Sequence, residues 1–234
     1  MTSCAVLIPV LDRPHRVKPL LASLEAAHHP AHTVRAIFVC SPYDDAEIAA
    51  VREAGGTEMI VDWQPGKGDY ARKINAAFRA TDDEWAFLAA DDIQLHPGWF
   101  QEALIVHDRY HPCVIGTNDM GNPRVTSGMH SVYTLVHRNY GECGVIDDPD
   151  CLLYEGYWHN FVDDEFVQTA ISRQTYMHAG LSHVEHLHPH WKKAPQDDTY
   201  ALGQVHFDED RAHHFSRRHL WASSVQARRR AGSR

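Results

Sequence analysis

The sequence predicts an α/β fold: a mainly parallel sheet flanked by helices, in a single compact domain. Three observations carry this expectation. Short apolar runs alternate with stretches whose apolar residues recur every three or four positions, and that spacing implies βαβ units. The runs end abruptly at polar groups: Asp12-Arg13, Ser41-Pro42 and Asp91-Asp92. The 234 residues are 44% hydrophobic and 23% charged, a globular rather than a disordered composition at a length that suits one core.

Ala5 to Val10 (AVLIPV) is apolar throughout, as expected of a strand buried on both faces. Val17, Leu20, Leu21 and Leu24 then follow the i, i+3, i+4, i+7 rule of an amphipathic helix. Val34–Cys40 is a second strand. Asp44 and Asp45 can cap a helix through Ile48 and Val51, which Gly55-Gly56 ends. Glu58–Val61 is a third, weaker strand. The polar loop Asp62–Gly68 leads into a helix carrying Tyr70, Ile74, Ala77 and Phe78. Trp85–Ala90 (WAFLAA) is a fourth strand, and His96-Pro97-Gly98 opens a helix with Trp99, Phe100, Ala103 and Leu104. Beyond Cys113 the rhythm changes. Gly116–Gly128 reads as a long loop, Ser131–Val136 as a strand, Asp147–Asp150 as a turn, Phe161–Arg173 as a helix and His183–Trp191 as extended or irregular. With no repeat and no linker, residues 1–115 and 116–210 are expected to form two halves of one unit.

No apolar run approaches the roughly 20 residues of a membrane span, and MTSCAVLIPVLDRP lacks a basic leader and a cleavage site. Five cysteines without C-x-x-C spacing suit neither a disulfide framework nor a thiolate zinc site, so the expected compartment is the cytoplasm. Residues 1–210 hold 15 basic against 31 acidic residues, which argues against broad nucleic-acid binding. Residues 211–234, with seven arginines and no acid, read as a solvated, partly frayed basic tail. Among 19 histidines, five fall between His178 and His190.

In an open parallel sheet, ligands bind beyond the carboxyl ends of the strands. Asp12, Arg13, Ser41, Asp44, Asp91 and Asp92 gather there, near Lys67, Arg72 and Lys73, which suggests a phosphorylated ligand. Neither G-x-G-x-x-G nor G-x-x-x-x-G-K-[ST] is present, so a divalent cation is the natural substitute for a glycine loop. Asp91-Asp92 offers hard oxygens suited to Mg²⁺ or Mn²⁺. In an extended segment His186, His188 and His190 would share a face. H-E-x-x-H and G-x-S-x-G motifs are absent, which disfavours a zinc hydrolase and a serine nucleophile.

Together, IPVLDRP at Ile8–Pro14, FVCSPYDD, GDYARKINAAF at Gly68–Phe78 and FLAADDI at Phe87–Ile93 resemble the nucleotide-sugar-binding half of GT-A glycosyltransferases of the family-2 type, in order over about the first 110 residues. One departure is Ala89, which stands where the first aspartate of the D-x-D motif usually lies. Asp91 aligns with the last aspartate, the usual metal ligand, and Asp92 with the following acid. Gly116-Thr117-Asn118-Asp119, Gly128-Met129-His130 and VEHLHPHW also resemble glycosyltransferase-like proteins of actinobacteriophages, for which the compartment would be the host cytoplasm.

The resemblance implies transfer of a sugar from a nucleoside diphosphate sugar, a UDP-sugar first, to an acceptor hydroxyl, with inversion and with Mn²⁺ or Mg²⁺. It implies that Pro9, Asp12, Arg13, Ser41 and Asp44 contact the nucleoside, and that Lys73 and Asn75 lie near ribose and phosphate. The metal ligands would be Asp91 with His188 or His186. Phe161-Val162-Asp163-Asp164-Glu165 resembles the acidic pair that supplies the general base, with Asp164 first and Asp163 the cap; such carboxylates also simply cap helices. The alternatives are a nucleotidyltransferase acting on a sugar phosphate, and a catalytically silent sugar-nucleotide-binding protein.

Overall fold

A computed structural model describes residues 1–222. Its first half runs β1 (Thr2–Pro9), α1 (Val17–Ala26), β2 (His32–Cys40), α2 (Asp45–Glu53), β3 (Thr57–Ile60), α3 (Asp69–Ala80), β4 (Trp85–Leu88), β5 (Ile93–Leu95) and α4 (Trp99–Tyr110). The second half runs β6 (Val114–Asn118), α5 (Pro123–Thr126), β7 (Thr134–His137), α6 (Arg138–Gly141), α7 (Val162–Ser172), β8 (Tyr176–His186), α8 (Asp198–Val205) and α9 (Phe207–Arg217). The strands form one eight-stranded sheet in the order β3-β2-β1-β4-β7-β6-β8-β5.

Strand residues alternate between two cores. Cys4, Val6, Ile8, Phe38 and Phe87 pack with α1, α2 and α4 on one face. Ala5, Leu7, Ile37, Val39 and Leu88 pack with α3 and α7 on the other. Both faces are covered, so the runs are apolar throughout, and each fully buried aliphatic side chain contributes roughly 1.5–3 kcal/mol.

The β1–β2, β2–β3, β1–β4 and β6–β8 pairings are parallel, but β7 lies antiparallel to β4 and β6, and β5 antiparallel to β8. The sheet is therefore mixed, with four of its seven pairings parallel. β6 reaches Asn118, inside the stretch expected to be a loop. β8 is an eleven-residue strand where the sequence suggests only an extended end, because Gly180 and scattered polar residues hide its period. The β6 register shifts between Gly116 and Asn118, so β8 bulges beside it. The basic stretch from 211 begins inside α9, where the buried guanidinium of Arg217 pairs with Glu165 and Asp147 at 2.7 Å each. The rest of the expected tail, 223–234, lies outside the described residues.

Two contacts position the site. Gly68, at φ +77°, donates to the Tyr157 carbonyl at 2.8 Å, and a Cβ there would come within 2.3 Å of the Glu155 carbonyl oxygen. The β5–β8 pairing sets Ile93 opposite His186. That register carries the late histidines to the acids that follow β4.

Candidate active site

Asp91 and Asp92 lie in the turn between β4 and β5, both buried. Arg13, also buried, donates to Asp91 at 2.9 Å and to Asp197 at 2.9 Å, lies 3.9 Å from Asp92 and stacks on Tyr200 at 3.9 Å. Two acids of the second strand–helix unit brace its loop. The Asp12 amide, at φ +55°, donates to Asp44, and the Arg13 amide donates to Glu47, both at 2.8 Å. Glu47 is wholly buried, which pushes its carboxyl up to about 7.

Asp92 accepts from Tyr133 on one oxygen at 3.0 Å and from Tyr200 on the other at 2.9 Å, with His186 Nε2 3.3 Å from the second oxygen. Burial alone would raise its carboxyl, but His186, Tyr200 and Arg13 together hold it below the ordinary range. Asp91 goes the other way: burial, then the charge of Asp92, push it up to about 7 against the pull of Arg13.

The expected nucleoside and phosphate contacts are mostly occupied within the chain. Asp44 is spent on the Asp12 amide and on capping α2 through the Glu47 amide. Lys73, fully buried, donates to the Val10 carbonyl at 2.8 Å and to Ser41 at 2.9 Å, and pairs with Asp69 at 2.9 Å. Asn75 holds Leu153 through both its backbone groups at 2.8 Å and reaches Glu155 at 2.9 Å. Lys73 and Asn75 thus tie α3 to its surroundings. Half-buried Pro9 closes β1, and Asp12 is exposed on the rim.

The three histidines do not share a face. His186 and His188 lie with ring centroids 4.9 Å apart, but a 3-10 turn at Pro189–Trp191 breaks the extended alternation. His190 packs its ring on Trp191 instead, at 4.5 Å. The expected pairing also changes partner: His186 sits on Asp92, while Asp91 faces Arg13. Burial, then the neighbouring His186, lower His188 to about 4, so its imidazole is neutral at physiological pH.

A divalent cation fits this donor set. Asp92 and His186 present one oxygen and one nitrogen 3.3 Å apart, the separation of two ligands sharing an ion at about 2.1 Å each. His186 Nδ1 is buried without a hydrogen-bond partner.

The second acidic group lies at the start of α7. Asp163 bonds His130 Nε2 at 3.1 Å, and Asp164 is paired with Arg124 and lies 3.9 Å from His130 Nδ1. Ligand atoms of His130, Asp163 and Asp164 all fall within 4.8 Å of one another, the one such group found among the described residues; Asp91, His186 and His188 do not form one. Burial pushes the Tyr70 hydroxyl up, and the charges of Asp163 and Asp92 add to it. Tyr70 itself donates to the Ala89 carbonyl at 3.2 Å.

Sequence reasoning does not find Glu47, Tyr133, Asp197 or Tyr200, whose partners lie 34 to 184 residues away. Arg124 sits in the stretch read as a loop. His130 stands in one motif of the phage resemblance, with no role attached.

No protein-family model and no curated protein matches the chain. Solved structures do. Mannosyltransferase PcManGT from Pyrobaculum calidifontis, in complex with GDP-Man and Mn²⁺, matches at TM-score 0.64 and 14% identity over 95% of this chain and 64% of its own. Glucosyl-3-phosphoglycerate synthase from Mycobacterium tuberculosis matches at TM-score 0.59 and 14% identity over 87% of this chain and 76% of its own. A further structure of that synthase holds Mn²⁺, UDP-glucose and phosphoglyceric acid. TarS of S. aureus, in complex with UDP, matches at TM-score 0.56 and 14% identity over 79% and 59%. The shared property is the fold. This chain is a single α/β domain around a mixed eight-stranded sheet and shares its fold with those structures.

Proposed function

We infer that this chain is a metal-dependent, inverting glycosyltransferase of the GT-A family-2 type, with a kinship to actinobacteriophage members. It moves a sugar from a nucleoside diphosphate sugar, a UDP-sugar first, to an acceptor hydroxyl. The observation that carries the reading is the pairing of Asp92 with His186 at the carboxyl edge of β4, with Arg13 and Tyr200 on the same acid. Neighbours of the same fold that bind Mn²⁺ with UDP-glucose or GDP-Man support it.

Asp92 and His186, with neutral His188 beside them, would hold the cation, replacing the expected set centred on Asp91. When bound, Mn²⁺ or Mg²⁺ supplies Lewis-acid stabilisation of the diphosphate leaving group. Arg13 orients Asp91 and adds fixed positive charge at the same edge. Asp164 takes the acceptor proton as the hydroxyl attacks the anomeric carbon. Direct displacement at that carbon inverts it.

The test is a thermal-shift titration of UDP-glucose and GDP-mannose with and without Mn²⁺, followed by product analysis. A Mn²⁺-dependent rise in melting temperature that Asp92→Asn abolishes, with nucleoside diphosphate released, is expected. A rise that survives Asp92→Asn would sink the metal assignment. Binding without turnover would favour a silent sugar-nucleotide-binding protein, and release of pyrophosphate from a nucleoside triphosphate would favour nucleotidyl transfer.

A further inference from the structure

His130 is almost wholly buried, yet it is the centre of the only compact group of ionisable ligand atoms found among the described residues. Its Nε2 meets Asp163 at 3.1 Å. Its Nδ1 has no hydrogen-bond partner and faces Asp164 across 3.9 Å. A metal is a poor occupant here. The two ring nitrogens address different carboxylates, and the guanidinium of Arg124 already supplies positive charge to Asp164.

The geometry gives the ring a direction. A carboxylate can only accept, so Asp163 holds the neutral imidazole with its proton on Nε2 and leaves a lone pair on Nδ1. The Asp164 oxygen opposite is also a lone-pair carrier. Two acceptors cannot bond, which accounts for the gap and the orphaned nitrogen. Once Asp164 gains a proton, its hydroxyl becomes the donor that Nδ1 lacks.

We propose that His130 is a relay that receives from Asp164 the proton of the acceptor hydroxyl, an assignment that rests on the glycosyltransferase reading above. As the acceptor oxygen bonds to the anomeric carbon, its proton passes to Asp164. The bond from that carbon to the diphosphate oxygen breaks, and its electron pair leaves with the diphosphate. The proton then moves to His130 Nδ1, giving an imidazolium held between Asp163 and Asp164, and the ring's Nε2 proton passes to the part-exposed Asp163 and from it to solvent.

The charged groups acting on His130 are Asp163 and Asp164 from α7 and Arg124 from α5. Burial lowers its basicity, but the two acids outweigh burial and Arg124, so the ring is pushed up from its ordinary value. An imidazolium formed in advance cannot accept. Relay activity therefore falls as pH drops through the His130 titration.

The experiment uses the full chain with Mn²⁺ and UDP-glucose or GDP-mannose as donor, reading nucleoside diphosphate release against pH, with water as acceptor. His130→Gln keeps a donor for Asp163 but cannot titrate; kcat should fall about tenfold, less than the ~10²–10⁴ of a direct base, and the acid limb assigned to His130 should vanish. Imidazole NMR on the wild-type chain and on Asp164→Asn supplies a readout free of activity. The His130 titration should move to lower pH when the Asp164 charge is removed. Equal His130 titrations in the two proteins, or an unchanged pH profile in an active His130→Gln, overturn the relay alone. Absence of turnover by the wild type with both donors overturns the transferase reading itself.

Discussion

Arg13 and Asp91, 78 residues apart, meet at 2.9 Å with both side chains less than a tenth exposed. The pair joins the loop after β1 to the turn after β4, at the carboxyl ends of two neighbouring parallel strands. The same guanidinium reaches Asp197 at 2.9 Å and lies on Tyr200, so it also seats α8 against the sheet edge.

Removing Arg13 leaves a buried acid unanswered. Arg13→Met should destabilise the protein by about 3–5 kcal/mol at pH 8 in denaturant titration, the usual cost of breaking a buried pair from one side. The loss should shrink as pH falls through about 7, where native Asp91 becomes protonated and no longer needs the guanidinium. A loss independent of pH would mean that the guanidinium acts by packing alone.

Glu47 carries a second pH dependence, opposite in sign to that of an ordinary salt-bridged acid. Its native carboxyl titrates at about 7 against an ordinary 4.5, so between these values the native state binds more protons than the unfolded one. Its contribution to stability is thus present below pH 4.5 and lost as pH rises through 7. At 1.36 kcal/mol per tenfold the loss is about 3 kcal/mol. Glu47→Gln should flatten the decline and melt above wild type at pH 8. A steeper decline in the variant would overturn the assignment.

The acids after β4 are legible in the sequence because an apolar run that stops at two charges has one ready explanation in a covered sheet. The helices on either side are legible for a related reason: their apolar faces repeat at the helical period. β8 is not legible. Its residues answer to four neighbouring elements and to a bulge, so no single period survives. Nor are Tyr200 and Glu47, which look like surface residues locally and are buried only because chain from elsewhere folds over them. Lys73 and Asn75 show the converse. Their place in a resembling motif is clear, yet their donors serve the chain's own carbonyls and side chains.

Arg217 carries the same logic to the far end of the described chain. It bonds Glu165 through Nε and Nη2 and Asp147 through both terminal nitrogens, and it lies over Tyr154 at 3.4 Å. Arg217→Met should destabilise by about 3–5 kcal/mol, because Glu165 in α7 is left buried and unpaired. The double variant Arg217→Met/Glu165→Gln should recover part of that loss. A double variant no more stable than the single one would show that Glu165 is answered by Tyr157 at 2.7 Å instead.

Chelation tests the cation without any substitution. With excess EDTA, the donor-induced rise in melting temperature should disappear while the melting temperature of the free protein changes little, since Arg13, Tyr133, Tyr200 and His186 already satisfy the two acids. His186→Gln should keep a hydrogen bond to Asp92 yet weaken the Mn²⁺-dependent shift at least about tenfold in apparent affinity, as loss of one ligand of a small donor set would. His190→Gln, whose ring is turned onto Trp191, should leave it unchanged. Equal effects at His186 and His190 would contradict a cation held at the β5–β8 junction, because only His186 is carried there by the register opposite Ile93.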